Sequence, residues 1–166
     1  MLGSVLQDFR QPEYIHVLLN PIPVYGLAAG LIGLIAALLL RSRRAQIASM
    51  IIILLAGIAA WPVFEFGEQA YDRVVSMSDE PGQAWLDEHM YRAEHLIYVF
   101  YALAALSAAA VVAPIKWPRS TTALAVAVLV LGLANLGAGG YIAYAGGKIR
   151  HREFRNQPPP PKRAQE

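Results

Sequence analysis

Four stretches of this chain are apolar over about 20 residues each, near 21–40, 46–64, 95–115 and 121–145, and its polar residues collect between and beyond them. A hydrocarbon core about 30 Å thick is crossed by about 20 residues of helix. None of the four alternates apolar and polar residues with period two, so barrel strands are excluded and helices satisfy the backbone. The pattern predicts an all-α integral membrane protein, an antiparallel four-helix bundle. Between the second and third stretches, Trp61, Glu65, Glu68 and Asp72 share one helical face, and Ser78-Asp79-Glu80-Pro81 is a helix-start signal with proline in the first turn. That predicts a part-helical extramembrane loop over 65–94 whose second helix runs on into the third span. Pro62 and Gly67 are candidates for bending the exit of the second span. Residues 1–150 form the four-span domain, and 151–166, with Pro158 to Pro161 and several basic residues, read as a flexible tail.

Composition agrees. With 56% hydrophobic and 16% charged residues, the 166-residue chain is too apolar for an ordinary soluble domain. It has no cysteine, which excludes disulfides, thiolate zinc, iron–sulfur clusters and covalently attached haem. Any metal must then use His, carboxylate, Met or backbone ligands. The first residues lack the basic and apolar regions of a removable signal peptide, so the first span is expected to do the targeting.

Charge adds an orientation. The connections Arg41–Arg44 and Lys116–Arg119 hold five basic residues and no acid, whereas all 12 acidic residues fall on the other side. Short basic loops are the usual cytoplasmic signature. The expectation is a bacterial inner-membrane protein with both termini in the periplasm. The tail pulls the other way, because Lys148, Arg150, Arg152, Arg155, Lys162 and Arg163 lie there. Those charges suit lipid phosphates, and no nucleic-acid partner is expected.

All four histidines lie on the outer side: His16 before the first span, His89 and His95 at the third, His151 after the fourth. At 100° per residue, Glu88, Tyr91, His95 and Tyr98 form a stripe, predicted to face the bundle. His89 is about 120° away from His95 and reads as solvated. Asn20-Pro21-Ile22-Pro23 interrupts a regular helix and is expected to turn His16 back over the bundle mouth. Glu65 and Glu68 end the second span, so one group from each helix converges on one opening.

Three chemistries fit that convergence. A b-type haem takes two imidazoles from different helices, here His16 and His95 with His151 as substitute. A divalent or transition-metal ion takes His16, His95 and Glu65 or Glu68. A quinone or proton site uses a histidine with Tyr91, Tyr98 or Tyr101. The plain alternative is that these His, Tyr and Trp side chains anchor helix ends at the interface and bind nothing. Glycine rows in the first span (Gly26, Gly30, Gly33) and the fourth (Gly132, Gly139, Gly146) read as helix-packing faces or as room for a planar ligand, and Asn135 as an interhelical hydrogen-bonding group.

His16-Val-Leu-Leu-Asn-Pro-Ile-Pro23 and the closing Gly146-Gly147 with a trailing His151 resemble a family of uncharacterised bacterial four-helix inner-membrane proteins, distantly similar to b-type cytochromes and ferric reductases. In that family a second histidine stands where this chain has Pro21. The resemblance implies electron transfer or metal handling at the outer face. The resulting expectation is an electron-transfer or accessory subunit rather than an enzyme. It would sit in the lipid bilayer with a larger respiratory or other membrane complex, or as a homo-oligomer. The rivals are a structural subunit without cofactor and a protein that handles metal or a small solute.

Overall fold

The structure is a computed structural model and describes residue 7 and residues 9–161. Among them there is no strand. Helix α1 is Pro12–Leu19, a π-helical turn follows at Ile22–Gly26, and α2 is Leu27–Leu39. Then come α3, Arg43–Ser76, α4, Glu80–Lys116, and α5, Thr121–Arg150. Short 3₁₀ turns stand at Pro118–Ser120 and Arg152–Phe154. With α1 and α2 taken as one 28-residue unit, four helices are long and apolar enough to cross a membrane.

The helices outrun the apolar stretches that predicted them. In place of a part-helical loop over 65–94, α3 continues to Ser76 and α4 begins at Glu80, leaving a turn of three residues. Asp79 is the N-cap: its Oδ1 accepts from the Gly82 N–H at 3.0 Å, and Pro81 occupies the first turn, where its missing N–H costs nothing. Pro62 is accommodated inside α3. The π turn at Ile22–Gly26 is where Pro21 and Pro23 remove donors from the helical ladder, and it joins α1 to α2 without ending the helical path.

Glycines set the helix contacts. A Cβ on Gly26 would meet Ala56, one on Gly30 would lie 2.6 Å from Ile53 Cγ1, and one on Gly33 would lie 2.8 Å from Ser49 Oγ. Positions rising along α2 thus meet positions falling along α3. Gly57 brings α3 against the α4 backbone, its virtual Cβ 3.0 Å from the Phe100 carbonyl oxygen. Leu31 fills the space over Gly132, and Val24 that over Gly139. These faces are helix seams, and the neighbouring side chains occupy the room a planar ligand would need. The core beneath them is aliphatic, centred on Leu27, Leu34, Met50, Ile53, Leu103 and Val128. Asn135 is fully buried there, but its Nδ2 donates to the Leu131 carbonyl of its own helix at 2.9 Å, so it does not bridge helices as expected.

The α3–α4 turn is tied to the segment after α5. Arg155 donates to both Asp79 carboxylate oxygens at 2.8 and 2.9 Å and to the Lys148 and Ile149 carbonyls at 2.7 and 2.6 Å. One guanidinium therefore closes the α5 C-terminus and holds the α4 cap. The hydrogen bonds from Arg155 hold the Asp79 carboxyl below the usual carboxylate range. A carboxyl with a depressed folded-state pKa contributes stability above its unfolded value and loses it as pH falls through the folded one. Arg155→Ala is therefore expected to lower the thermal midpoint at pH 6, and by less once the pH falls through the depressed Asp79 pKa, the remainder being the lost bonds to the Lys148 and Ile149 carbonyls. Equal destabilisation at pH 6 and at about pH 2 would show that the carboxylate plays no part.

Candidate functional site

The end of the helices near the α3–α4 turn brings two histidines together, but not the expected pair. His16, on α1, points its Nδ1 at the Val63 carbonyl oxygen of α3, 2.8 Å away. His89, on α4, points its Nδ1 at the Ile142 carbonyl oxygen of α5, 3.0 Å away. A carbonyl only accepts, so each Nδ1 carries a proton, and in the neutral ring Nε2 then keeps the lone pair. The rings stand 6.3 Å apart between centroids at 88°.

The same local device seats both. A helical carbonyl at position i is already bonded to the N–H at i+4, and the side chain at i+4 shields its second lone pair. Here residue i+4 is glycine both times, Gly67 after Val63 and Gly146 after Ile142. A Cβ on Gly67 would lie 3.0 Å from His16 Nδ1, and one on Gly146 would lie 3.0 Å from His89 Nδ1. Each glycine thus clears the approach of an imidazole to the backbone. The first helical hairpin and the second hold one histidine each in the same way, an internal correspondence that the residue sequence does not display.

Next to His89, the Glu88–Arg92 pair is buried, with 6% and 8% of the two side chains exposed and Arg92 Nε 2.8 Å from Glu88 Oε1. Arg92 also donates to the Tyr141 carbonyl at 2.7 Å and lies 3.7 Å over the Tyr141 ring. Lys148 is buried between Trp85 and Tyr144, 4.3 Å and 4.1 Å from their ring centroids, and donates to the Tyr144 hydroxyl at 2.7 Å. Tyr71 donates to Asp87, and Arg73 pairs with Glu13 at 2.7 Å. This end of the bundle is a polar cluster set on backbone carbonyls of α3 and α5.

The other predicted site residues lie elsewhere. His95 is exposed, its Nδ1 on the Tyr91 carbonyl at 2.8 Å and its ring against Tyr91. Tyr98 is 70% exposed, Tyr91 sits at the surface, and Tyr101 is half-buried. His151 is exposed and pairs with Glu153 at 2.9 Å, stacking on Phe154. Glu65 is half-buried and Glu68 exposed. Among the described residues no group of three or more His, Asp or Glu is placed to hold a metal ion, so His16, His95, Glu65 and Glu68 do not form one ligand shell.

The stripe through His95 misplaces the inward face of α4. Its buried positions are Gly82, Trp85, Leu86, Glu88, Arg92, Ile97, Phe100, Leu103, Ala104, Ser107, Ala110 and Pro114. At 100° per residue their mean direction lies about 110° from His95 and within about 10° of His89. Ser107, which is fully buried, follows His89 by five whole turns. Anchoring the helix on Phe100, Leu103 and Ser107 instead of on its titratable residues would have turned His89 inward.

Comparison with family models, curated proteins and solved structures finds no match to this chain. The chemistry therefore has to come from the site itself. Two neutral imidazoles on rigid helices, each with its second nitrogen tied to a backbone carbonyl, are the arrangement in which histidine ligates metals: the carbonyl fixes tautomer and ring plane and raises the basicity of the other nitrogen. Two imidazoles binding one metal from opposite sides at about 2 Å have centroids about 6 Å apart, close to the separation found here.

Proposed function

We propose that this protein is a small redox-linked membrane subunit that carries one metal centre between His16 and His89. In this reading the four spans form an antiparallel bundle with that centre and both termini at the outer face and the basic connections inside. The pairing of α2 with α3 through Gly26, Gly30 and Gly33 supports the bundle, and the length and hydropathy of the four helices support insertion. A bacterial inner membrane with a periplasmic site fits the basic loops. The observation that carries the reading is the matched pair of imidazoles, each locked on a carbonyl over a glycine.

The donor set selects the kind of centre. With only two protein nitrogens, zinc or non-haem iron would be under-coordinated, whereas copper(I) accepts two imidazoles and haem iron needs only axial ligands. The glycine faces along the spans are occupied by Leu31, Val24 and Ile53, which favours a bare copper ion over a macrocycle. In this arrangement His16 and His89 donate the lone pairs, Val63 and Ile142 hold the ring planes, and packed helices resist rearrangement when the oxidation state changes. Electrons would pass to a larger membrane complex.

Elemental analysis of the detergent-purified protein loaded with copper(I) tests this. One copper per chain is expected in wild type and His95→Ala, and none in His16→Ala or His89→Ala. Wild type without metal, or copper retained by both single variants, overturns the assignment. A Soret band that shifts on dithionite reduction replaces copper with haem iron on the same two ligands.

A further inference from the structure

At the opposite end of the bundle an open groove of about 860 Å³ lies between the ends of α2, α3, α4 and α5. We infer that it binds the phosphodiester headgroup of an anionic, hydroxyl-bearing glycerophospholipid, with Arg41, Arg43 and Gln46 as its contacts.

The groove holds polar groups that the protein leaves unsatisfied. Arg43 spends Nη2 on the Ala110 carbonyl at 3.2 Å, which fixes the guanidinium, while its Nη1 is buried without a partner. Gln46 lines the same groove, is 8% exposed, and its Oε1 is likewise buried without a partner. A buried donor and a buried acceptor that line one groove, each without a partner, are costly unless something supplies the opposite groups. A phosphodiester oxygen satisfies the first, and a headgroup hydroxyl the second.

Charge and shape agree. Arg41 lines the groove, and Arg44, Lys116 and Arg119 lie in the same two connections, with no acidic residue in either. The first turns of α3 and α5 both line the groove, and helix N-termini favour an anion, although the Ala45 N–H of α3 is taken by Ser42. Arg41 is held at φ 52°, a left-handed conformation that glycine adopts without strain and that terminates α2. The chain keeps an arginine where a glycine would be easier. Ile47, Val111 and Ile115 form apolar walls, and Ile115 is largely exposed, so acyl chains leaving the headgroup meet hydrocarbon. A soluble phosphate would gain nothing from those walls, and a basic pocket between spanning helices on the cytoplasmic side is a headgroup site by its chemistry.

Thermal unfolding of the detergent-solubilised full chain, with added phosphatidylglycerol, phosphatidylcholine or glycerol phosphate, is the test. Phosphatidylglycerol should raise the midpoint of wild type by several degrees, and phosphatidylcholine should not. Arg41→Gly should raise the lipid-free midpoint, by removing the strained arginine, while weakening the phosphatidylglycerol response about fivefold in apparent affinity. Arg43→Gln should abolish the response, and His16→Ala, at the other end, should leave it intact. Equal shifts with phosphatidylcholine, or full responses in Arg41→Gly, overturn the site. A shift of the same size with glycerol phosphate overturns the lipid and leaves a soluble phosphate ester as occupant.

Discussion

Arg92→Met is expected to cost about 3–5 kcal/mol of stability, more than any surface charge on this protein. The guanidinium is 8% exposed and makes three contacts at once: the Glu88 carboxylate, the Tyr141 carbonyl and the Tyr141 ring. Exposed ion pairs contribute about 0–1 kcal/mol because water and salt screen them. Here screening is small, and the cation over the ring adds about 2 kcal/mol when desolvated. The loss is mostly the penalty of a buried carboxylate deprived of its guanidinium. The double variant Glu88→Leu/Arg92→Met should therefore recover most of it, since replacing a buried pair by apolar groups is near neutral. Unfolding by a denaturing detergent, monitored by circular dichroism, reads both. A loss under 1 kcal/mol in the single variant, or none recovered in the double, would place the pair in solvent.

If copper binds as proposed, Gly146→Val is expected to weaken it strongly while leaving the helix intact. A side chain there enters the space of the His89 ring, 3.0 Å from Nδ1 and 3.1 Å from Cε1, and the ring loses the Ile142 carbonyl. Displacing such a supporting contact typically weakens metal affinity about 10–100-fold. Glycine is among the poorest helix residues, so the backbone itself gains rather than loses from the substitution. Copper content should fall with little change in helicity. Gly137→Val is the control, because nothing lies within 4 Å of its virtual Cβ. Copper retained in Gly146→Val would separate the glycine from the site, and copper lost in Gly137→Val would point to a general effect of valine on α5.

Much of the architecture was legible in the residues. Four apolar stretches became four long helices, Asp79 and Pro81 marked the start of α4, and the prolines at 21 and 23 interrupted the first span. Those signals are local: hydrophobic length, cap chemistry and a missing N–H act within a turn or two of where they are written. The prolines were expected to turn His16 back over the bundle, but the helical path runs on through a π turn and His16 meets the Val63 carbonyl from the extended first helix. The extent of α3 and α4 was not legible, because polar residues beyond a span carry a helix as readily as a loop, and packing of Trp85 and Ala145 with Tyr71 and Val74 decides it.

The partner of His16 was beyond the sequence altogether. Nothing local distinguishes His89 from His95; both are helical and both lie at the mouth of the same span. What separates them is about 120° of azimuth on α4, and that azimuth is fixed by how Phe100 and Ala104 meet Gly57 across the seam with α3. The sequence by itself determined that imidazoles and carboxylates gather at one end of four apolar helices, because hydropathy and the parity of crossings require it. Only the tertiary structure decided which two rings come together, because a helix's rotation about its axis is set by long-range packing, and a 100° step per residue leaves no side chain's direction certain until a neighbour claims one face.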